Sequence, residues 1–374
     1  MSSPANEEEP RPSPTVPLDL RLQQLVARAL EGAELLSATL LGADSVTHQA
    51  TAKGVGYGAP LRLEVRHEGV LKSLVLHSAT ANQFGHERRA DRAAEMLVAA
   101  DTFALLPGHT RVLDVGAYRG ASFVSLQDSG EFYLLTEYAE GRPYADDLRR
   151  IARTGALEPR DAQRVDRLVD YLVEIHALQL PDGSLYTRSI RDLLGSGEGI
   201  FGIIDGYPER TPGIDSRRLH HVEKACLDWR WRLKDNHPRL ARIHGDFHPF
   251  NVLFREDASL SLLDASRGSA GDAADDVCAM AVNYLFFSNF EPKLWKAVFQ
   301  HLWRRFWYYY LSQTDDDELL DVVAPFLAWR CLVLANPVWY PDMAAEHRAR
   351  LFDFIDATLA ARRFDPELAQ DLFA

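Results

Sequence analysis

The chain reads as an α+β protein, a small β-rich lobe followed by a larger, mainly helical one. Between Thr39 and Tyr138 short apolar runs of strand character alternate with turn residues, interrupted by one strongly charged helix. After Arg142-Pro143 apolar residues recur at helical spacing through most of the remaining chain. These patterns divide the sequence into a disordered tail over 1–17, an N-terminal lobe over 18–138 and a helical C-terminal lobe over 139–374.

The tail carries Pro4, Pro10, Pro12, Pro14 and Pro17 around Glu7-Glu8-Glu9, a composition that cannot bury a core. Leu22, Leu25, Val26, Leu30 and Leu35 then predict a helix from Leu18 to Leu35. In the β-rich lobe, Gly54-Val55-Gly56-Tyr57-Gly58 precedes a strand pair. Alternate glycines let backbone N–H groups close over phosphates without side-chain clash, although such strings are also ordinary turns. A strand is expected over Leu71–Ser78 and a helix of both charge signs over Phe84–Glu95. Further strands are expected at Ala121–Leu126 and Phe132–Glu137. The run Val112-Leu113-Asp114-Val115-Gly116 imitates the opening of a SAM-dependent methyltransferase. No helix is expected after it, so a meander is the better reading. In the C-terminal lobe the helices fall at 159–178, roughly 216–233 and roughly 273–288. His176 is expected to pack or cap at the end of the first. Residues Leu294–Tyr310, rich in Trp, Phe and Tyr, read as core, with an aromatic wall for a cation as the lesser alternative.

The chemistry concentrates in His244-Gly245-Asp246-Phe247-His248-Pro249-Phe250-Asn251 and Leu262-Leu263-Asp264. Moving a γ-phosphoryl group requires an oriented acceptor hydroxyl and divalent cations that gather charge on the phosphate oxygens. Asp246 suits the first task; Asn251 and Asp264 suit the second. Protein kinases show the same order, an aspartate, an asparagine five positions on, and a metal-binding aspartate after a short hairpin. Here the arms of that hairpin are Val252-Leu253-Phe254 and Leu260-Ser261-Leu262-Leu263, turning at Arg255-Glu256-Asp257.

The His-Gly-Asp form resembles the aminoglycoside phosphotransferase and choline kinase group, kinase-like enzymes that act mostly on small molecules. A second match in register is the loop from Asp264 that closes on Gly271-Asp272-Ala273-Ala274-Asp275-Asp276. The resemblance spans roughly residues 36–290. It implies a bilobal protein-kinase-like fold, a small antiparallel sheet in the N-lobe, and a phosphotransferase using ATP or GTP with Mg²⁺ on an alcohol group of an aminoglycoside-, choline- or amino-alcohol-like acceptor. By the same resemblance Asp246 is catalytic with His244 supporting its loop, Asn251 and Asp264 bind metal, and Asp276, with Asp275 as the near alternative, braces the catalytic loop. Nucleotide contacts fall on Gly54, Gly56, Gly58, His77 and the backbone of Glu137 and Ala139.

One position departs from the family. Where the third strand should offer a lysine to the phosphates, this sequence has His77. Lys72 lies five residues earlier, on the opposite face and about 16 Å away. A histidine of ordinary pKa grips phosphate only partly at neutral pH. An acid of the following helix pairing with His77, or an arginine of that helix replacing the lysine, are the alternatives. The substitution keeps two other readings open, a catalytically impaired nucleotide-binding scaffold and a protein-serine kinase.

Bulk properties set outer limits. The formal charge of −13 argues against nucleic acid as a partner and suits a cationic acceptor. No apolar run reaches the 18 or so residues that span a bilayer, so no membrane partner is expected. Cys226, Cys278 and Cys331 are odd in number and far apart, which fits a reducing cytoplasm, and no signal peptide is legible.

Overall fold

The computed structural model describes residues 15–41, 60–120, 122–265, 267–291 and 293–374. The glycine string at Gly54, Gly56 and Gly58 lies outside them. By internal contacts the chain divides into two units, Met1–Leu135 and Thr136–Ala374.

In the first unit, helix α1 (Leu20–Ala29) starts at an Asp19 cap whose side chain accepts from the Leu22 N–H at 2.9 Å. The helix ends before the expected Leu35, because a turn at Gly32 (φ 75°) redirects the chain into strand β1 (Glu34–Leu40). Strands β1, β2 (Leu61–His67) and β3 (Val70–Leu76) form an antiparallel sheet in that order. Val26 of α1 packs with Leu35, Ala38, Leu63 and Val65 of the sheet in a small core of its own. Helix α2 (Arg89–Phe103) begins later than the expected Phe84, with Asp91 accepting from the Arg88 N–H at 2.7 Å. Strands β4 (Gly116–Arg119) and β5 (Ser122–Ser125) make a hairpin, in place of the methyltransferase-like βα turn.

The strand expected over Phe132–Glu137 does not form. Residues 132–140 have no regular structure, and Tyr133, Leu134 and Leu135 are about nine-tenths exposed (92%, 89% and 88%). A consecutive apolar run lacks the alternation that makes a strand self-evident, and pairing, not propensity, decides whether it forms.

The second unit is mainly helical. Strand β6 (Arg142–Pro143) leads into α3 (Tyr144–Thr154), α4 (Pro159–His176), α5 (Ser184–Gly195), α6 (Ile200–Asp205) and α7 (Ser216–Leu233). Strands β7 (Leu240–Arg242), β8 (Val252–Phe254), β9 (Leu260–Leu262) and β10 (Ala270–Asp272) follow. They pair as two small antiparallel sheets, β6-β8-β9 and β7-β10. Helices α8 (Ala274–Asn289), α9 (Gln300–Thr314), α10 (Leu319–Val322), α11 (Ala324–Ala335), α12 (Ala345–Ala360) and α13 (Leu368–Phe373) complete the unit.

The unit's core is continuous and aromatic. Trp295, Phe299, Trp303, Phe306, Trp307 and Tyr310 are all at most 1% exposed. Trp303 and Trp307 pack edge-on at 5.6 Å, and Phe364 lies 5.3 Å from Trp307. These six rings are therefore core and offer no face to a cation; in the same segment Tyr308 is exposed and Tyr309 half-buried, their hydroxyls donating to Glu367 at 2.8 Å and Asp170 at 2.9 Å. A buried Arg348 fixes the end of α11, its Nε donating to the Ala335 carbonyl at 2.7 Å. No helix among the described residues is long and apolar enough to cross a membrane.

Candidate active site

Two strand pairs frame the segment that carries the acidic residues. It leaves β7, which is held against β10 in the register Arg242↔Ala270, and enters β8, which is held against β9 in the register Val252↔Leu262. Phe247, fully buried, stacks on Tyr171 at 5.6 Å and anchors the middle of the segment. The Pro249 carbonyl accepts from the Ala145 N–H at 3.0 Å, which fixes the far end to α3.

Gly245 explains why this sequence reads His-Gly-Asp. Its φ is 83°, and a Cβ there would lie 2.6 Å from the Gly268 carbonyl oxygen, so only glycine fits both the turn and the neighbouring backbone. Asp276, wholly buried in the first turn of α8, accepts from the His244 N–H at 2.6 Å and the Gly245 N–H at 2.8 Å. His176 Nε2 lies 3.2 Å from the same carboxylate, and His176 Nδ1 lies 2.8 Å from the Tyr310 hydroxyl. Burial raises the pKa of Asp276 most, yet hydrogen bonds from His176 and the backbone hold it below the ordinary carboxylate value. Burial lowers the pKa of His244 against the pull of Asp276 and Asp246. The ring is then neutral at neutral pH, in keeping with its Nδ1 accepting from the Asp246 N–H at 3.3 Å.

Asp246 and Asn251 face each other. The Asn251 amide nitrogen donates to the Asp246 carbonyl at 3.1 Å and to its Oδ2 at 3.3 Å. The Asn251 carbonyl accepts from the Leu263 N–H at 2.9 Å, so the hairpin register sets the exposed Asp264 one residue beyond Asn251's cross-strand neighbour. Asp264 itself has φ 50°, a left-handed conformation uncommon outside glycine. The two side chains offer oxygen donors, the kind that suits Mg²⁺ when substrate phosphates supply further ligands. Among the described residues, no group of three or more His, Cys, Asp or Glu side chains gathers in a metal-binding arrangement.

Four side chains in this neighbourhood carried no role in the sequence reading. Arg267 donates to Asp246 Oδ1 at 2.5 Å and to the Gly245 carbonyl at 2.9 Å. Arg330, in α11, donates to Asp246 Oδ1 at 2.7 Å and to Asp275 Oδ1 at 2.5 Å. His248 Nε2 lies 3.5 Å from Asp246 Oδ2. The Trp329 ring has Arg330 at 4.0 Å and Arg267 at 4.7 Å from its centroid. Burial works to raise the pKa of Asp246, but His248, Arg330 and Arg267 outweigh it and hold the carboxyl far below its usual range. Arg267 was within reach of sequence reasoning, three residues after Asp264. Arg330 had no local signal.

The neighbouring acids also divide. Asp276 reaches the loop backbone, and Asp275 pairs with Arg330, so of the two adjacent aspartates only Asp276 touches the His244 and Gly245 N–H groups. Asp272 is bound by Arg239 at 2.9 Å, Tyr186 at 3.0 Å and the Ala274 N–H at 3.0 Å. Arg239 also reaches Asp316 at 2.8 Å, which ties β10 to the turn before α10.

The nucleotide-binding residues expected from sequence lie elsewhere in the chain. His77 follows the last residue of β3 and is exposed. After it, Glu95 of α2 pairs with His86 at 3.3 Å; before it, Lys72 of β3 lies against His67 of β2 at 2.9 Å. Glu137 is exposed and Ala139 half-buried, both in the stretch without regular structure.

An aspartate and an asparagine in hydrogen-bond contact, followed across the hairpin by a second aspartate, make up the candidate site. The sequence profile of the phosphotransferase enzyme family matches residues 121–309, half of the chain, and the chain belongs to that family. No curated protein matches it in sequence. Solved structures similar to it include a glucosamine kinase with glucosamine, ADP and inorganic phosphate (17% identity, 95% of this chain and 100% of that one, TM-score 0.42). Another crystal form of glucosamine kinase matches at 18% identity over 58% of each chain, TM-score 0.40. Choline kinase LicA from Streptococcus pneumoniae matches at 13% identity over 91% of this chain and 97% of that one, TM-score 0.34. Likenesses this distant carry no statement about the acceptor.

Proposed function

We propose that the protein transfers the γ-phosphoryl group of a nucleoside triphosphate, ATP or GTP, to a hydroxyl of a small molecule. The observation that supports this most is the contact of Asn251 with both the carbonyl and Oδ2 of Asp246. It commits the amide nitrogen of Asn251 to Asp246 and leaves the amide oxygen out of that contact. In this reading Asp246 orients the acceptor hydroxyl, and Asn251 and Asp264 would hold Mg²⁺. When bound, the ion would draw charge off the phosphate oxygens.

A carboxylate held far below its usual pKa is a weak base. Its contribution is then orientation, with the proton accepted late, as suits a loose transition state that asks little of a base. His244, Asp276 and His176 keep the loop in place. The nucleotide is assigned to His77, Gly54, Gly56, Gly58 and the backbone of Glu137 and Ala139, with the protein acting in the cytoplasm. As cation ligands, the neutral Asn251 amide and the one carboxylate of Asp264 suit an ion shared with phosphate better than a closed protein cage.

Nucleotide consumption with Mg·ATP and Mg·GTP tests the proposal, using kanamycin, choline, D-glucose and L-serine as acceptor probes and Asp264→Ala as the blank. At least one acceptor should stimulate consumption above the blank, with phosphate found on the acceptor. Nucleotide that binds without stimulated turnover in any arm would favour a non-catalytic scaffold, and phosphate found on protein would favour a protein kinase.

A further inference from the structure

Arg330 sits in the middle of α11, 84 residues from Asp246, and is 7% exposed. Its planar fork spans two acids that belong to different elements. Nη1 donates to Asp246 Oδ1 at 2.7 Å, and Nη2 donates to Asp275 Oδ1 at 2.5 Å, with a longer contact to the Gly245 carbonyl at 3.4 Å. The Trp329 ring flanks the guanidinium at 4.0 Å. Nε, also buried, has no hydrogen-bond partner among the described residues.

We propose that Arg330 is a positioning residue for phosphoryl transfer: held by Asp275, it pins Oδ1 of Asp246 and thereby reserves Oδ2 for the acceptor hydroxyl. The inference rests on the reading of Asp246 as the group that orients the acceptor.

The terminal torsion of an aspartate is broad and nearly two-fold, so an unpinned carboxylate can present either oxygen. Here the oxygens are unequal. Oδ1 takes both arginines, while among the described residues Oδ2 has only the longer contacts from Asn251 at 3.3 Å and His248 at 3.5 Å. Arg267 alone would be a loose pin, since its side chain is 24% exposed and comes from an irregular loop. Arg330 is fixed at its base by a helix whose last carbonyl is held by the buried Arg348. Asp275 fixes the other end of the fork and offsets the buried charge, and the planar guanidinium keeps its two Nη groups in a fixed relation, so fixing one orients the other.

The test compares wild type, Arg330→Lys, Asp275→Asn and Arg330→Met/Asp275→Asn in the full chain. The double variant removes both charges together, which spares the fold an unpaired buried carboxylate. Crystal structures read the Asp246 carboxylate directly, whether or not any acceptor is turned over. In the double variant its plane should turn by more than about 30° or split between two conformers. An unchanged carboxylate overturns the proposal.

With Mg·ATP and the four acceptor probes named above, kcat should fall about 10²-fold in the double variant while KM for Mg·ATP stays within about threefold. Arg330→Lys keeps a charge without the fork and should recover only a minor part of the loss. Should the double variant not fold, the two single variants carry the same expectation in smaller measure. A fall in kcat matched by a rise in KM, or full activity in Arg330→Lys, counts against positioning. Wild type without turnover on any probe would defeat the proposed function instead, and the crystal comparison would still decide the role of Arg330.

Discussion

Asp276→Asn isolates the support under the catalytic loop. The carboxylate accepts two backbone N–H groups, from His244 at 2.6 Å and Gly245 at 2.8 Å, and it is fully buried. An asparagine offers one acceptor and one NH₂, so one of the two N–H groups must face a donor. Leaving a buried donor unpaired costs about 1–3 kcal/mol, and hydrogen bonds to a charged group exceed neutral ones by about 1 kcal/mol. The loss of charge weakens the remaining N–H bond and the contact to His176 at 3.2 Å together. The sum is about 3–5 kcal/mol. For a cooperative unit of this size each kcal/mol moves Tm by about 2–4 °C, so the melting point should fall by about 6–20 °C. Circular dichroism melts measure the fall, and hydrogen exchange at the His244 and Gly245 amides reports where it arises. A variant melting within about 2 °C of wild type, with both amides still protected, would show that these bonds do not bear on stability as argued.

Three other perturbations follow from the same structure. Gly245→Ala combines an unfavourable positive φ with a contact to the Gly268 carbonyl at 2.6 Å, and should cost about 2–5 kcal/mol in urea titration. His244 has its pKa lowered from 6.5 by burial, so the unfolded chain binds that proton more readily. Its contribution to stability is complete above about pH 6.5 and is lost as pH falls through the lowered value; urea midpoints between about pH 8 and about pH 5 should show this slope, and His244→Gln should flatten it. Trp303→Ala, at a side chain 1% exposed whose indole N–H donates to the Pro366 carbonyl at 2.9 Å, should cost about 3–5 kcal/mol while leaving KM for any acceptor unchanged in the fraction that folds.

What the sequence made legible was local. From His244 to Asp264 the order of the polar residues and the short hairpin that sets Val252 against Leu262 are local, whereas the contacts that hold the segment, from Tyr171, Ala145, Asp276 and Arg330, come from distant parts of the chain. The helix at 159–178 was equally plain, because Val165, Leu168 and Leu172 recur on its buried side. The stretch 132–137 was misread because an apolar run carries no register of its own. Arg330 was invisible for a different reason: an arginine in an apolar helix gives no hint of which acid it will meet across 84 residues. His176 shows the same limit. Its spacing placed it on a buried face, but its contact with Asp276 spans 100 residues and depends on how α4 and α8 pack.

Charge shows how whole-chain and local reasoning part. A formal charge of −13 favours a cationic acceptor only if the acids it counts stand where the acceptor binds. Around Asp246 they do not stand alone. Asp246 and Asp275 meet Arg267 and Arg330, so the four formal charges in direct contact cancel. At 4 Å and an effective dielectric near 20, one pair of unit charges interacts by about 4 kcal/mol. A cation approaching Asp246 would therefore lose to the two guanidiniums what it gains from the carboxylates. On the proposed reading, the hydroxyl is selected at this point by its geometry against one carboxylate oxygen, and any preference for a positively charged acceptor has to come from acids outside this four-residue cluster.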